Sequence, residues 1–400
     1  MSEHLVARLG HLGDGLATDG TVLPGALPGE KVELVDDRVR ILSPSDQRVR
    51  PPCRHAASCG GCTLQHAAPP VMADWKRELV VSALRQHDID AEVANTITSP
   101  PRSRRRASFT AIRTKKSVTF GFRRKRSRQI VDIVECEVLR PEISAAFPAL
   151  RELGALASSR KSEVRLSVTT SETGLDVVVL GGKELDLDLR QSAAAWAETA
   201  DVARLSWSRE TIAGRRPPFQ NFGAARVAPP PGAFLQATEA GEAALVQLVR
   251  SATVGARRVV DLFAGCGTFS LPLAENAEVR AVEGDPAFLA ALDAGWRTAE
   301  GLRRVTTEAR DLFRRPLLAE ELKNTDAVVF DPPRAGAQAQ TAQLALSQVP
   351  TIIGVSCSPA TFARDAATLI AAGWRLERVT PVDQFLWSPH VELVGVFQRN

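Results

Sequence analysis

From residue 236 the chain alternates short apolar runs with stretches of helical patterning. The runs are "RRVVDLF", "VRAVEGD", "DAVVFDPP", "TIIGVSC", "WRLERVTPVD" and "VELVGVFQR", and a helix is predicted over 286–299. Strands that alternate with helices imply βαβ units and a mostly parallel, doubly wound sheet. This alternation fixes an α/β class for residues 236–400 and places any ligand at the carboxyl ends of the strands.

The residues before it read differently. Runs such as "SVTFGF" and "GLDVVVL" within 105–190 alternate apolar and polar positions, which predicts a mostly antiparallel sheet. A helix is expected at 72–87. The opening "GDGLATDGTVLPGALPGEKVELV" packs Gly and Pro turns between short strands, as in a small β-barrel. "GRRPPFQNFGAARVAPPPGAF" is Pro-rich and reads as a loop or hinge. Four hundred residues hold two or three domains. The expected division is 1–50, a small β segment; 51–235, a central α+β domain; and 236–400, the α/β domain.

The start "MSEHLVARLG" lacks an apolar signal region, and no run of about 18 apolar residues suggests a membrane span. The expectation is a cytoplasmic, reducing compartment, no membrane partner and a monomer. Six cysteines in such a compartment are read as ligands or catalysts before disulfides. Net charge is only +4, but basic residues cluster in "RSRRR" (102–106) and "RRKRSR" (123–128). Such runs are either solvated faces or contacts to nucleic-acid phosphates.

"DLFAGCGTFS" (261–270) follows a strand and opens a helix, and Gly265 and Gly267 allow a tight turn close to a ligand. Its glycine spacing is not that of a dinucleotide site. Glu283, Asp311 and Asp331 end the next strands. Together these edge features outline a nucleoside pocket without a phosphate cradle, which suits S-adenosylmethionine. Cys266 reads as a small loop residue.

Cys53, Cys59 and Cys62 are spaced C-x5-C-x2-C, and Cys136 lies at a distant strand end. Four thiols suit zinc or an iron–sulfur cluster, and His55 and His66 leave a mixed zinc site open.

Cys357, in "GVSCSPATF", ends a strand of the α/β sheet, with Pro359 where a helix begins. It could be core, ligand or nucleophile. The helix N-terminus is expected to lower its pKa. A thiolate that adds to C6 of a pyrimidine makes C5 nucleophilic enough to take a methyl group. A base must then remove the C5 proton. Glu392, in the otherwise apolar "SPHVELVGVF", is the candidate base, with a solvent-facing edge position as the alternative.

With these elements, the chain resembles the RNA 5-methyluridine (uracil-C5) methyltransferases over nearly its whole length. The resemblance rests on "CRHAASCGGCTLQH" with "VECEVL", "FLQATEAGE", "DLFAGCGTFSLPLA", "DPPRAG", "GVSCSPATFARD" and "SPHVELV". It implies a Rossmann-like class I methyltransferase domain preceded by a short TRAM-like β-barrel segment. Cys53, Cys59, Cys62 and Cys136 match ligands of a structural 4Fe-4S cluster. Gln236, Phe263, Thr268, Glu283, Asp311 and Asp331 match cofactor-pocket positions. Thr268 and Thr238 stand where the family often has asparagine. Cys357 matches the nucleophile and Glu392 the base. Arg334 stands where the related 5-methylcytosine enzymes carry a second cysteine, which favours uracil. The cluster points to the iron–sulfur branch acting on 23S rRNA. The same chemistry on tRNA, or a non-catalytic iron–sulfur RNA-binding protein, are the alternatives.

Overall fold

The computed structural model describes residues 2–36, 38–208 and 210–399. Among the described residues, the N-terminal strands form a five-stranded antiparallel sheet, with Ser2–Leu9 between Gly15–Ala17 and Lys31–Val35. Its edges, Val22–Leu23 and Arg38–Ser43, do not pair with each other, so the small barrel is a half-barrel. Buried Glu30 locks it by accepting from Leu27 N (2.8 Å), Ser45 N (3.1 Å) and both arms of Arg48 (2.6 and 2.8 Å).

The central seven-stranded sheet is antiparallel except where Gly174–Gly181 runs parallel to Arg204–Trp207. A parallel neighbour needs a crossover, and the helix Leu187–Thr199 supplies it. Asp186 caps that helix by accepting from Leu189 N. The helix Phe147–Ala157 packs on the same core, and Gly154 brings its backbone close to Ala111.

The C-terminal sheet runs Val305–Ala309, Glu278–Glu283, Arg258–Leu262, Ala327–Phe330, Thr351–Ser356, Glu392–Gln398, Arg375–Asp383, and then Ile97–Thr98. The first five strands are parallel, and the order reverses between Arg258–Leu262 and Ala327–Phe330, the switch point where ligands bind. The last long strand departs from the parallel pattern. Glu392–Gln398 inserts antiparallel to both Thr351–Ser356 and Arg375–Asp383.

A pair of facing glycines explains how closely this sheet is covered. Gly354 and Gly395 lie opposite each other across those strands. A Cβ at Gly395 would stand 2.2 Å from the Phe362 ring, and one at Gly354 would stand 3.2 Å from it and 2.9 Å from the Phe330 ring. The bare backbone lets Phe362 lie flat, which draws the helix Pro359–Ala371 onto the sheet directly after Cys357.

Two segments sit differently from the sequence reading. The helix Pro69–Arg85 starts at a Pro-Pro pair, and Val80, Ala83, Leu84, Ile89 and Val93 join the core under the C-terminal sheet. The segment 69–98, placed in the central domain by sequence, therefore packs on the α/β body. The Pro-rich stretch expected as a hinge contains the hairpin Gln220–Phe222/Ala225–Val227, whose Phe222, Ala225 and Val227 are fully buried in that body.

Lys76, on the Pro69–Arg85 helix, has no exposed surface and pairs with the equally buried Asp383. It also donates to Phe385 O (3.0 Å), and Asp383 accepts from Phe385 N (2.8 Å). This pair ties the helix to the start of the loop that leads to Glu392. Removing one member of a buried pair strands the other charge and costs about 3–5 kcal/mol. Lys76→Met should therefore destabilise the fold by roughly 3 kcal/mol in urea unfolding, and Lys76→Met with Asp383→Leu should recover most of it. A single variant as stable as wild type would contradict the role of the pair.

Candidate active site

The two residues assigned to chemistry arrive on neighbouring strands. Ser356 pairs with Leu393, so one further step of the antiparallel register sets Cys357 opposite Glu392 at the ligand-binding edge. After Cys357 the chain turns at once. Ser358 N donates to Ser356 Oγ (3.1 Å), Ser358 caps the next helix by accepting from Thr361 N (3.4 Å), and Pro359 occupies its first turn.

The predicted lowering of the Cys357 pKa is overturned. Burial pushes the thiol up to about 11, Glu392 and Asp331 push it further, and Arg334 opposes them. A helix N-terminus contributes about 0.3–1 kcal/mol, less than the roughly 1.4 kcal/mol that one pKa unit represents. Desolvation beside two carboxyl groups outweighs it. Glu392 is 2% exposed. Burial pushes its carboxyl up to about 8, Asp331 adds to the rise, and Arg106, Gln384 and Arg334 oppose it. Burial also pushes Asp331 up to about 7. A glutamate poised near neutrality is suited to proton transfer.

The six predicted cofactor residues separate into groups. Gln236 and Asp331 lie at the catalytic end, where Gln236 Nε2 donates to Asp331 Oδ2 (3.2 Å). Phe263, Glu283 and Asp311 surround the glycine turn. Glu283 accepts from Gly265 N (3.0 Å), Gly284 N (2.7 Å) and Asp285 N (3.0 Å), so its carboxylate is oriented before any ligand arrives. Asp311 is exposed and holds its own turn through Phe313 N (3.0 Å). Phe263 adopts a left-handed φ of 62° and stacks on the half-exposed Phe313 at 5.5 Å. Thr268 instead lines a separate cleft of about 800 Å³, together with Arg105, Gln220 and Gln247. The catalytic and glycine-turn groups fit S-adenosylmethionine. They present an aromatic face and a preset carboxylate. Beneath the glycine turn lies the buried Asp261, whose Oδ1 has no partner among the described residues.

Asp261 is a residue the sequence reading missed. It has no exposed surface, accepts from Ser270 Oγ (2.5 Å), and is pushed up to about 7 by burial. A carboxylate inside the apolar "RRVVDLF" is the same signal that singled out Glu392. Gln384 and His390 were missed as well. His390 Nδ1 meets Arg334 Nη2 at 2.8 Å, and burial and that guanidinium hold its pKa below the usual range, so it accepts.

The "RSRRR" run is divided among several partners. Arg102 forms a two-armed pair with Glu137 (2.8 and 2.9 Å). Arg105 is buried, donates to Gln236 O (2.9 Å) and pairs with Glu242. Arg104 lies over Phe385 (5.4 Å), and Arg106 lies over Phe234 (4.2 Å) and faces Glu392. The run leaves a turn and enters the strand Arg106–Arg113 only at its last member, so its side chains part between the domain contact and the site. "RRKRSR" does form an exposed turn, where Arg126 (2.5 Å) and Lys125 (3.7 Å) pair with Asp14.

Cys53, Cys59, Cys62 and Cys136 are half-buried and within electrostatic reach of one another. Burial raises Cys62 to about 12, and the other three thiols add to it. Among the described residues no three His, Cys, Asp or Glu side chains close to metal-ligand geometry. The loop joins the central sheet through Gly60 N to Arg123 O (2.9 Å) and a bridge from Cys59 to Arg124. His55 accepts from Val134 N (3.3 Å). His66 lies beside Arg48 and Glu30, and its Nε2 is buried with no partner among the described residues.

This is the fold and site of an RNA methyltransferase that uses S-adenosylmethionine. A family model described as tRNA (uracil-5-)-methyltransferase matches residues 230–400. An uncharacterized RNA methyltransferase of Brucella suis is 47% identical over 99% of this chain and 97% of its own. The 23S rRNA (uracil(1939)-C(5))-methyltransferase RlmD of Halomonas elongata is 34% identical over 98% of this chain and 88% of its own. The crystal structure of Pyrococcus abyssi tRNA (uracil-54, C5)-methyltransferase in complex with S-adenosyl-L-homocysteine shares the fold. Its TM-score is 0.73 and its identity 24%, over 99% of each chain. The chain belongs to the RNA uracil-5-methyltransferase family.

Only the carboxylate form of Glu392 accepts a proton. With its pKa near 8, loss of the C5 proton and release of the methylated base should rise with pH by up to about tenfold per unit until the carboxyl is ionised. A rate of adduct resolution that stays flat from about pH 6.5 to 9 would contradict this environment.

Proposed function

We propose that this enzyme methylates C5 of one uridine in 23S rRNA through a covalent intermediate on Cys357, with Glu392 as the base. The observation that carries this reading is the register that sets Cys357 opposite Glu392 in a desolvated pocket. The ribosomal substrate is supported by the 34% identity to RlmD across almost the whole chain.

When bound, S-adenosylmethionine supplies a methyl group on a cationic sulfonium, whose charge also favours the ionised thiol and carboxyls around it. Cys357 Sγ adds as thiolate to C6 of the uracil, and the C5–C6 π electrons move toward C5. C5 then bonds the methyl group, leaving S-adenosylhomocysteine. Glu392 takes the C5 proton, the C–H electron pair restores the C5–C6 double bond, and Sγ leaves C6 as thiolate. Arg334, held by His390 and facing Cys357, favours thiolate at both ends of this sequence. A base in folded RNA must be splayed out of its stack to reach Sγ. Arg104 and Arg106 beside the pocket and the exposed 124–128 turn offer positive charge for the backbone.

The test compares wild type, Cys357→Ala and Glu392→Gln with labelled cofactor on 23S rRNA and tRNA transcripts. Cys357→Ala should lose transfer by at least about 10³-fold, and Glu392→Gln should accumulate a methylated protein–RNA adduct stable on denaturing gels. Turnover by Cys357→Ala would overturn the nucleophile, and transfer to tRNA alone would overturn the ribosomal substrate.

We also propose that Cys53, Cys59, Cys62 and Cys136 hold a 4Fe-4S cluster that staples the loop to the central sheet. The donor set is all sulfur, and His55 is engaged by Val134 N, which weighs against its joining a mixed zinc site. Protein purified without oxygen should contain iron and acid-labile sulfide in equal amounts, and Cys62→Ala should lose both. Zinc without iron would overturn the cluster.

A further inference from the structure

Gln384 belongs to none of the sequence motifs, yet its amide is bound on both sides. It lies immediately after the strand Arg375–Asp383 and is 1% exposed. Its Oε1 accepts from Ala237 N (2.6 Å) and Thr238 N (3.3 Å). Its Nε2 donates to Gln236 Oε1 (2.5 Å), and Gln236 Nε2 donates to Asp331 Oδ2 (3.2 Å). The side chain also lies against Glu392.

Amide orientation is normally ambiguous between its oxygen and nitrogen. Here the main chain removes the ambiguity. A backbone N–H only donates, so the atom of Gln384 facing Ala237 must be oxygen, and its nitrogen must face Gln236. Gln236 must then meet that nitrogen with its oxygen, which leaves its own nitrogen facing Asp331. The polarity set at Ala237 N passes through two amides to the carboxylate. The packing is built for it. Gly241, in the first turn of the helix Glu239–Ala252, would place a Cβ 2.7 Å from Gln384 Cβ, so the absence of a side chain there admits Gln384.

We propose that Gln384 is a positioning and specificity residue that locks Gln236 with its N–H, rather than its C=O, toward Asp331. The inference rests on the uridine reading of the site. An N–H donated to a carboxyl oxygen favours the ionised, accepting form and opposes the rise that burial imposes on Asp331. A donor amide beside an accepting carboxylate matches uracil, whose O4 accepts and whose N3–H donates. Cytosine presents the reverse, a donor at N4 and an acceptor at N3. A flipped Gln236 would place its oxygen against Asp331, favour the protonated acid, and present the pattern that suits cytosine. Gln384 thus selects the pyrimidine without touching it.

The test uses Gln384→Glu, which keeps the shape and the acceptor for Ala237 N but cannot donate to Gln236. Gln384→Met, which removes both roles, serves as the second variant. Both are compared with wild type on otherwise identical RNAs carrying uridine or cytidine at the target, across pH. Asp331 is faced by Asp261, Cys357 and Glu392, with Arg106 and Arg334 beyond Glu392, so the whole profile is recorded. Expected for both variants are a loss of at least tenfold in kcat/KM for uridine, an acid limb moved to higher pH, and a narrower preference for uridine over cytidine, with unfolding midpoints near wild type. Equal activity, or a loss without movement of the acid limb or the preference, would overturn the proposal. If wild type itself methylates no uridine, the functional reading fails instead.

Discussion

The hydrogen-bonded ladder between Thr351–Ser356 and Glu392–Gln398 is the constraint on which the site depends. A reversed strand at this place in an otherwise parallel sheet brings the end of one strand beside the start of another. A thiol and a carboxyl that are 35 residues apart in sequence thereby meet at one level. Parallel pairing would have sent Glu392 to the opposite edge. The facing Gly354 and Gly395 belong to the same device, because they let Phe362 seat the helix that turns the chain away from Cys357. Packing at the ladder's centre and chemistry at its end share one register.

Burial then sets the electrostatics. Asp261, Asp331, Glu392 and Cys357 lie within reach of one another, and all are pushed up by desolvation. The resting pocket keeps its acids near neutrality and Cys357 as a thiol. A cationic cofactor is the natural partner of such a site, since its charge favours the ionised forms that the chemistry needs. Arg106 and Arg334 approach from the rim, Gln384 orients the amide of Gln236, and the Lys76–Asp383 pair holds the approach to the Glu392 loop. The cysteine loop is connected to the same place, because Thr63 N and Leu64 N both donate to Trp387 O (2.6 and 3.2 Å).

The arginine runs show where local pattern ends. Four nearly consecutive arginines look like one surface, but the chain there passes from a turn into a strand that begins at Arg106, and their side chains part. Arg105 entered the core, Arg104 and Arg106 lay on aromatic rings, and Arg102 found Glu137. The other run turns outward after Arg123, so 124–128 stayed exposed.

By itself the sequence determined the α/β class and the order of its strands, and it singled out Cys357 and Glu392 as candidates. Hydrophobic periodicity and turn residues are local, and an acid inside an apolar strand is conspicuous wherever it lies. Only the tertiary structure decided that the last strand runs backwards, that residues 69–98 pack on the C-terminal sheet, and that Cys357 is held as a thiol. Only the fold placed Gln384 between Ala237 and Gln236. Register, desolvation and amide orientation depend on which distant groups become neighbours, and no window of sequence contains that information.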